Sequence, residues 1–178
     1  MKIHIMGASC AGSTTLGNAL AERAGTPYFD TDDYFWVPSE VPYTVKRNPA
    51  LRNQMLIEDL SRQESWILGG SLISWGPEWQ AMFDLVVFLY VPPEIRLQRL
   101  VQRELERYGN TIYTDPERNR LFQEFMEWAS KYDDVTFTGR NIRIHESWLK
   151  EIPCKVIEIR GDTTVEERLR LVLNAMEG

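Results

Sequence analysis

The chain has 178 residues, of which 43% are hydrophobic and 26% charged, with a formal net charge of −6. That length is about one domain at roughly 150 residues each, enough to bury a core without disulfide or metal staples, and the composition excludes disordered and collagen-like chains. The acidic balance offers no bulk field for nucleic acid or anionic lipid, the longest apolar run (Leu85–Val91) is strand-sized, and two cysteines, Cys10 and Cys154, form neither a disulfide framework nor a zinc spacing.

In chain order, Ile3-His4-Ile5-Met6 is a short apolar run ending at Gly7, as a buried parallel strand requires. It begins so near Met1 that no room is left for a signal peptide, and a reducing cytoplasm is the expected compartment. A helix is predicted over Thr14–Ala24, with Leu16, Ala19, Leu20 and Ala24 on one face and Gly25 and Pro27 closing it. Tyr28-Phe29 forms a second strand that runs into the acidic turn Asp30-Thr31-Asp32-Asp33. Residues 34–47, with Pro38, Pro42 and several aromatics, are expected to be loop. Asn48-Pro49 caps a helix whose apolar face is Leu51, Met55, Leu56 and Leu60. A third strand, Trp66-Ile67-Leu68, ends at Gly69-Gly70, and a fourth covers Asp84–Val91. Pro92-Pro93 opens a long helix to about Tyr108. Lys155–Ile159 is the fifth strand, and Thr163 or Thr164 caps a last helix with Glu166 and Glu167 in its first turn.

Strands alternating with helices predict a three-layer α/β fold on a five-stranded parallel sheet. Residues 109–150 have helical stretches and no strand, so they read as a helical lid inserted into one domain that covers 1–178, with an acceptor-binding segment at about 31–62.

Between the first strand and the first helix lies Gly7-Ala8-Ser9-Cys10-Ala11-Gly12-Ser13-Thr14. It fits G-x-x-x-x-G-K-[ST] at every fixed position but one, with Ser13 in the place of lysine. The glycines let backbone N–H groups turn inward around phosphate oxygens, and the helix N-terminus adds partial positive charge. Thr14 is positioned to offer its hydroxyl to Mg²⁺, and Thr15 to add a phosphate contact. Serine lacks the point charge that lysine brings to the β/γ-phosphates. Either an arginine from elsewhere restores that charge, with the insert's Arg118, Arg120, Arg140 and Arg143 as the candidates, or the site binds nucleotide and turns over poorly.

These residues resemble the small phosphotransferases of the adenylate kinase, shikimate kinase and gluconate kinase group. Phe29-Asp30-Thr31-Asp32 is similar to the aspartate turn after the second strand of shikimate kinases. The resemblance implies that Asp30 joins Thr14 in the Mg²⁺ shell and that Asp32 meets the acceptor hydroxyl. Leu68-Gly69-Gly70-Ser71 is similar to the glycine motif lining the acceptor pocket, and Phe83–Leu89 with Arg96–Arg103 resembles the fourth strand and arginine-bearing helix of nucleotide kinases. Ile159-Arg160-Gly161-Asp162 stands where that group contacts adenine. The group's fold implies a P-loop NTPase sheet of order 2-3-1-4-5, with ATP and Mg²⁺ as cofactors. The site residues are then Gly7 through Thr15 with Arg99 and Arg160 for the nucleotide, Thr14 and Asp30 for the metal, and Asp32 and Arg103 for catalysis.

The remaining groups carry two readings each. Arg96, Arg99, Arg103 and Arg107 share a helix face. A solvated face is the expectation for Arg96 and Arg107, whereas Arg99 and Arg103 suit a phosphate or adenine contact equally well. Tyr34, Phe35, Trp36, Tyr43, Trp75 and Trp79 either stack on a planar acceptor or anchor the packing. Lys46, Arg47 and Arg52 either hold an acceptor anion or face solvent. His4 is expected in the core and His145 on the surface. The reading reached is an ATP- and Mg²⁺-dependent phosphotransferase acting on a small acceptor such as a nucleotide or nucleoside, with no nucleic-acid or membrane partner. The alternatives are a nucleotide-binding module with little catalysis and an NTPase whose acceptor is water.

Overall fold

A computed structural model describes residues 1–177. The strands are β1 (Lys2–Gly7), β2 (Tyr28–Asp30), β3 (Trp66–Gly69), β4 (Leu85–Tyr90) and β5 (Lys155–Arg160). They form one parallel sheet in the order β2-β3-β1-β4-β5. The helices are α1 (Ser13–Ala24), α2 (Thr31–Phe35), α3 (Pro49–Ser61), α4 (Pro93–Tyr108), α5 (Thr111–Thr114), α6 (Pro116–Ser130), α7 (Ile142–Leu149) and α8 (Val165–Glu177).

The central strands β1, β3 and β4 are almost continuously apolar because both faces of the sheet are covered there. Alternate residues divide between two cores. Ile3, Ile5, Ile67, Leu85, Val87 and Leu89 pack with Leu16 and Leu20 of α1 and Val172 of α8. Met6, Trp66, Leu68, Val86 and Phe88 pack on the other face with Tyr34, Leu56, Trp79 and Leu149. A third, smaller core joins the insert to α4 through Leu100, Ile112, Phe122 and Ala129, and Cys10 of the loop after β1 rests against it.

Two glycines are fixed by one ring. A Cβ at Gly17 would run into the Tyr28 ring, and one at Gly69 into the Tyr28 hydroxyl. Tyr28 therefore fills the gap between α1 and β3, which no larger residue at 17 or 69 would leave open.

Several expectations are corrected. The acidic turn is the start of helix α2, because the Asp30 side chain accepts from the Asp32 amide and so caps it. The loop that follows is closed by a Trp36–Lys46 antiparallel bridge. On α3 the buried residues are Arg52, Leu56 and Leu60, while Leu51 stays exposed. Arg96 is not on a solvated face but 1% exposed. Its guanidinium pairs with Asp133, its Nε donates to the Val91 carbonyl at 2.9 Å, and the group lies 4.9 Å from the Tyr132 ring. It ties the start of α4 to the turn after α6, and a buried cation is tolerated only with such partners. His145 is buried rather than on the surface, within hydrogen-bond reach of the Tyr132 hydroxyl at 2.8 Å and of Ser71 Oγ at 3.3 Å. The last helix starts as expected at Thr164, through a reciprocal Thr164–Glu167 capping box.

Gly→Ala in a helix interior usually stabilises by about 0.5–1 kcal/mol. At Gly17 the sign reverses: Gly17→Ala is expected to destabilise by about 1–3 kcal/mol through overpacking against Tyr28, as read by urea unfolding. His4 and His145 give a second expectation. Burial lowers their pKa values from 6.5 to about 4 and about 3. Between pH 6.5 and about 4 the unfolded chain takes up protons that the folded chain refuses, so stability is complete above 6.5 and declines as pH falls toward 4. His4→Phe keeps a ring beside Phe83 and removes one titration, so its stability should fall less between pH 7 and 4.5 than that of the wild type.

Candidate functional site

The site is built at the carboxyl ends of β1, β2 and β3, where the strand order reverses and open α/β sheets form a crevice. Its floor is the loop between β1 and α1. Cys10 and Gly12 adopt left-handed φ values of 62° and 97°, and the Ala11 amide donates to the Ala8 carbonyl at 3.0 Å. Gly7 runs so close to the Leu89 carbonyl that a Cβ would stand 2.5 Å from it. α1 has no side-chain N-cap and no acid in its first turn. Its first N–H groups therefore present an uncompensated positive end, which suits a phosphate. Thr14 and Thr15 at this end are exposed.

Asp30 closes the next side. Its Oδ2 accepts from Thr14 Oγ1 at 2.9 Å and from the Tyr28 hydroxyl at 2.8 Å, while Oδ1 accepts from the Asp32 amide at 3.0 Å. The two groups expected at a metal, Thr14 and Asp30, are thus in direct contact. The donor set is all oxygen, a hydroxyl and a carboxylate, and suits a hard cation that keeps several waters.

Asp32 has an exposed surface yet lies in a recess crowded by protein. Burial and the neighbouring Asp30 raise its pKa above the ordinary carboxylate value, and Arg140 and Arg103 oppose the shift. Both arginines therefore face Asp32 electrostatically, though neither forms a direct ion pair with it among the described residues. Arg103 rests over the Phe125 ring and reaches Glu104 at 3.3 Å, and Arg140 rests over the Trp128 ring at 4.9 Å. The Nε atoms of Arg103 and Arg140 are both buried without a hydrogen-bond partner. An orphaned guanidinium N–H is costly unless something else accepts from it.

The structure separates the other predicted residues. Arg99 and Arg103 line one open groove of about 430 Å³ along α4, together with Gln98, Gln102 and Glu106. Arg99 pairs with Asp162 at 2.6 Å, which ties α4 to the turn after β5. Arg160, expected where the group contacts adenine, pairs with Glu146 and Glu158 and lies over Tyr90. Among the insert arginines, Arg120 is held by Glu117 and Glu124, Arg118 stacks on Tyr108, Arg143 is exposed, and only Arg140 turns toward the crevice. The aromatics Tyr34, Trp75 and Trp79 are buried as packing anchors. Arg47 is taken by the Asp33 and Tyr34 carbonyls, and Arg52 lies under Trp75 at 4.1 Å.

Sequence reasoning missed two residues. Tyr28 holds Asp30 from two positions upstream, on the same face of the strand, and that spacing was the available signal. Arg168 of α8 reaches the phosphate loop from 157 residues away, donating to the Ala11 carbonyl at 2.7 Å, and no local pattern announces it.

An AAA-domain family model matches residues 3–120. The chain is 41% identical to the uncharacterized protein YqaC of Bacillus subtilis over 172 residues, covering 97% of this chain and 95% of that one. It is 29% identical to a shikimate kinase of Acinetobacter baumannii over 107 residues, covering 54% of this chain and 59% of that enzyme. In fold it is similar to the deoxyadenosine kinase of M. mycoides solved with bound dATP, with a TM-score of 0.63, full coverage of both chains and 14% identity. No helix among the described residues is long and apolar enough to cross a membrane. More distant curated relatives include shikimate kinases, and by its matching family model the chain belongs to the AAA-domain family.

Proposed function

We propose that this chain is an ATP- and Mg²⁺-dependent phosphotransferase whose small acceptor carries an anionic group, as a nucleotide does. The observation that carries this reading is the convergence on one crevice of the phosphate loop, the Thr14–Asp30 pair, and Asp32 facing two arginines with unpartnered Nε atoms. The loop amides of residues 7–15 and the N-terminus of α1 hold the triphosphate. Thr14 and Asp30 would hold Mg²⁺, with Tyr28 fixing the carboxylate from behind. When bound, the cation neutralises charge on the phosphate oxygens. Asp32 accepts the proton of the acceptor hydroxyl, and its raised pKa makes it a better base than an ordinary aspartate. Arg140 and Arg103 hold the acceptor's anion and turn its hydroxyl toward the loop, because a guanidinium N–H without a partner is best matched by a carboxylate or phosphate oxygen.

One observation favours a second reading, a nucleotide-binding module with little catalysis: Ser13 in place of lysine removes a point charge from the loop. Turnover of ATP against a panel of nucleotides, nucleosides and sugar acids decides between the two. Tight ATP binding without transfer to any acceptor selects the module.

For the phosphotransferase, Asp32→Asn should lower kcat by about 10²–10⁴ with ATP affinity little changed, as measured by steady-state kinetics and calorimetry. Asp32 works deprotonated, so kcat/KM should fall as pH drops, with a midpoint above the ordinary 3.8. Arg140→Met should raise the acceptor KM about tenfold to a hundredfold, the worth of one charge-assisted hydrogen bond, and leave the KM for ATP within twofold. An unchanged acceptor KM in that variant removes the anion from the description of the acceptor.

A further inference from the structure

The loop that lacks a lysine is not without a cation. Arg168 lies on α8 and is 3% exposed. Its Nη1 donates to the Ala11 carbonyl at 2.7 Å and its Nε to Thr163 Oγ1 at 2.8 Å. The same Nη1 would stand 2.8 Å from a Cβ at Gly12, so the guanidinium lies directly against the backbone that leads into Ser13 and α1. No carboxylate among the described residues forms an ion pair with it. Asp162, the acid that attracts it, is engaged by Arg99, which in turn repels Arg168. The corner where α4, the turn after β5 and the phosphate loop meet therefore holds two guanidinium groups against one carboxylate.

A buried cation without a counter-ion is destabilising unless something else compensates it. Burial and Arg99 both disfavour its charged form, and Asp162 offsets only part of this. A bound polyphosphate would supply the missing negative charge, beside amides that already face it. By accepting from Arg168, the Ala11 carbonyl also turns its negative end away from that phosphate.

We propose that Arg168, carried on the C-terminal helix and hydrogen-bonded to the phosphate loop at Ala11, supplies from behind the loop backbone the positive charge that favours nucleotide phosphates in place of the lysine missing at Ser13. The assignment rests on the nucleotide-binding reading above and moves the replacement charge from the insert to α8. It also gives Gly12 a second reason to be glycine, since a side chain there would displace the guanidinium as well as strain the backbone.

The experiment compares ADP and inorganic tripolyphosphate binding by calorimetry in the wild type, Arg168→Met and Arg168→Lys, with thermal melting as the check on folding. The expected result is that Arg168→Met weakens both ligands more than about fivefold, and that Arg168→Lys stays nearer the wild type because charge rather than packing is what matters. A smaller effect of Arg168→Met, or equal losses in both variants, overturns the assignment and leaves Arg168 a brace between α8 and the loop. Should Arg168→Met fail to fold, Ser13→Lys in the otherwise unaltered chain decides. A gain in ADP affinity below about fivefold shows that the charge is already present, and a larger gain overturns the proposal. A wild type that binds neither ligand refutes the nucleotide reading itself, and this assignment with it. A wild type that binds both, with Arg168→Met unaffected, refutes this assignment alone.

Discussion

The carboxylate of Asp30 receives a hydroxyl from α1, a hydroxyl from its own strand and an amide from α2, and the geometry of the crevice depends on these three bonds. Remove that carboxylate and Thr14 loses its partner, α2 loses its cap, and Asp32 is no longer held at the mouth of the sheet. The acid is placed by a register: Asp30 stands beside Gly69, which stands beside Ile5, two residues before the phosphate loop begins. Parallel pairing thus sets the distance between the loop and the acidic turn before any side chain contributes. Tyr28 then fills the space between α1 and β3, so that the hydroxyl reaching Asp30 comes from a ring that cannot shift.

The opposite wall of the crevice is made by the insert. α5 and α6 pack on α4 through Ile112, Phe122 and Leu100, and the phosphate loop touches that packing through Cys10. Arg140 faces Asp32 electrostatically from this side, while Arg118 and Arg120, earlier in the insert, are engaged locally, Arg118 over the Tyr108 ring and Arg120 by Glu117 and Glu124. Position within the insert, rather than charge alone, separates an arginine that serves the crevice from one that serves the helix surface. The buried Tyr132–His145–Ser71 chain links the segment after α6 to the loop after β3, so the insert is joined to the sheet by polar contacts as well as apolar ones.

Much of this was legible in the sequence. Strands alternating with helices predicted the parallel sheet, the resemblance to the small phosphotransferases supplied its order, and the phosphate loop was read from glycine spacing at the end of the first strand. The sheet and its order stand in the structure as expected. What escaped was non-local. Arg96 has the same helical spacing as Arg99, yet one is entombed and the other solvated, because only the first meets Asp133 and the Val91 carbonyl. His145 looks like a surface residue until Tyr132 and Ser71 close over it. For Arg96 and His145 the outcome was decided by partners 37 and 74 residues away in the chain, which periodicity does not encode.

The segment recognised by the family model ends at residue 120, before β5 and α8. Yet β5 lies along the whole of β4, and α8 returns to fasten the loop with which the fold begins. The amino- and carboxyl-terminal portions are thus a single mechanical unit, and a fragment cut at the family boundary would carry the recognisable motif on an unpaired sheet edge, without its clasp. In this architecture the stretch that advertises the family is shorter than the stretch that makes it work.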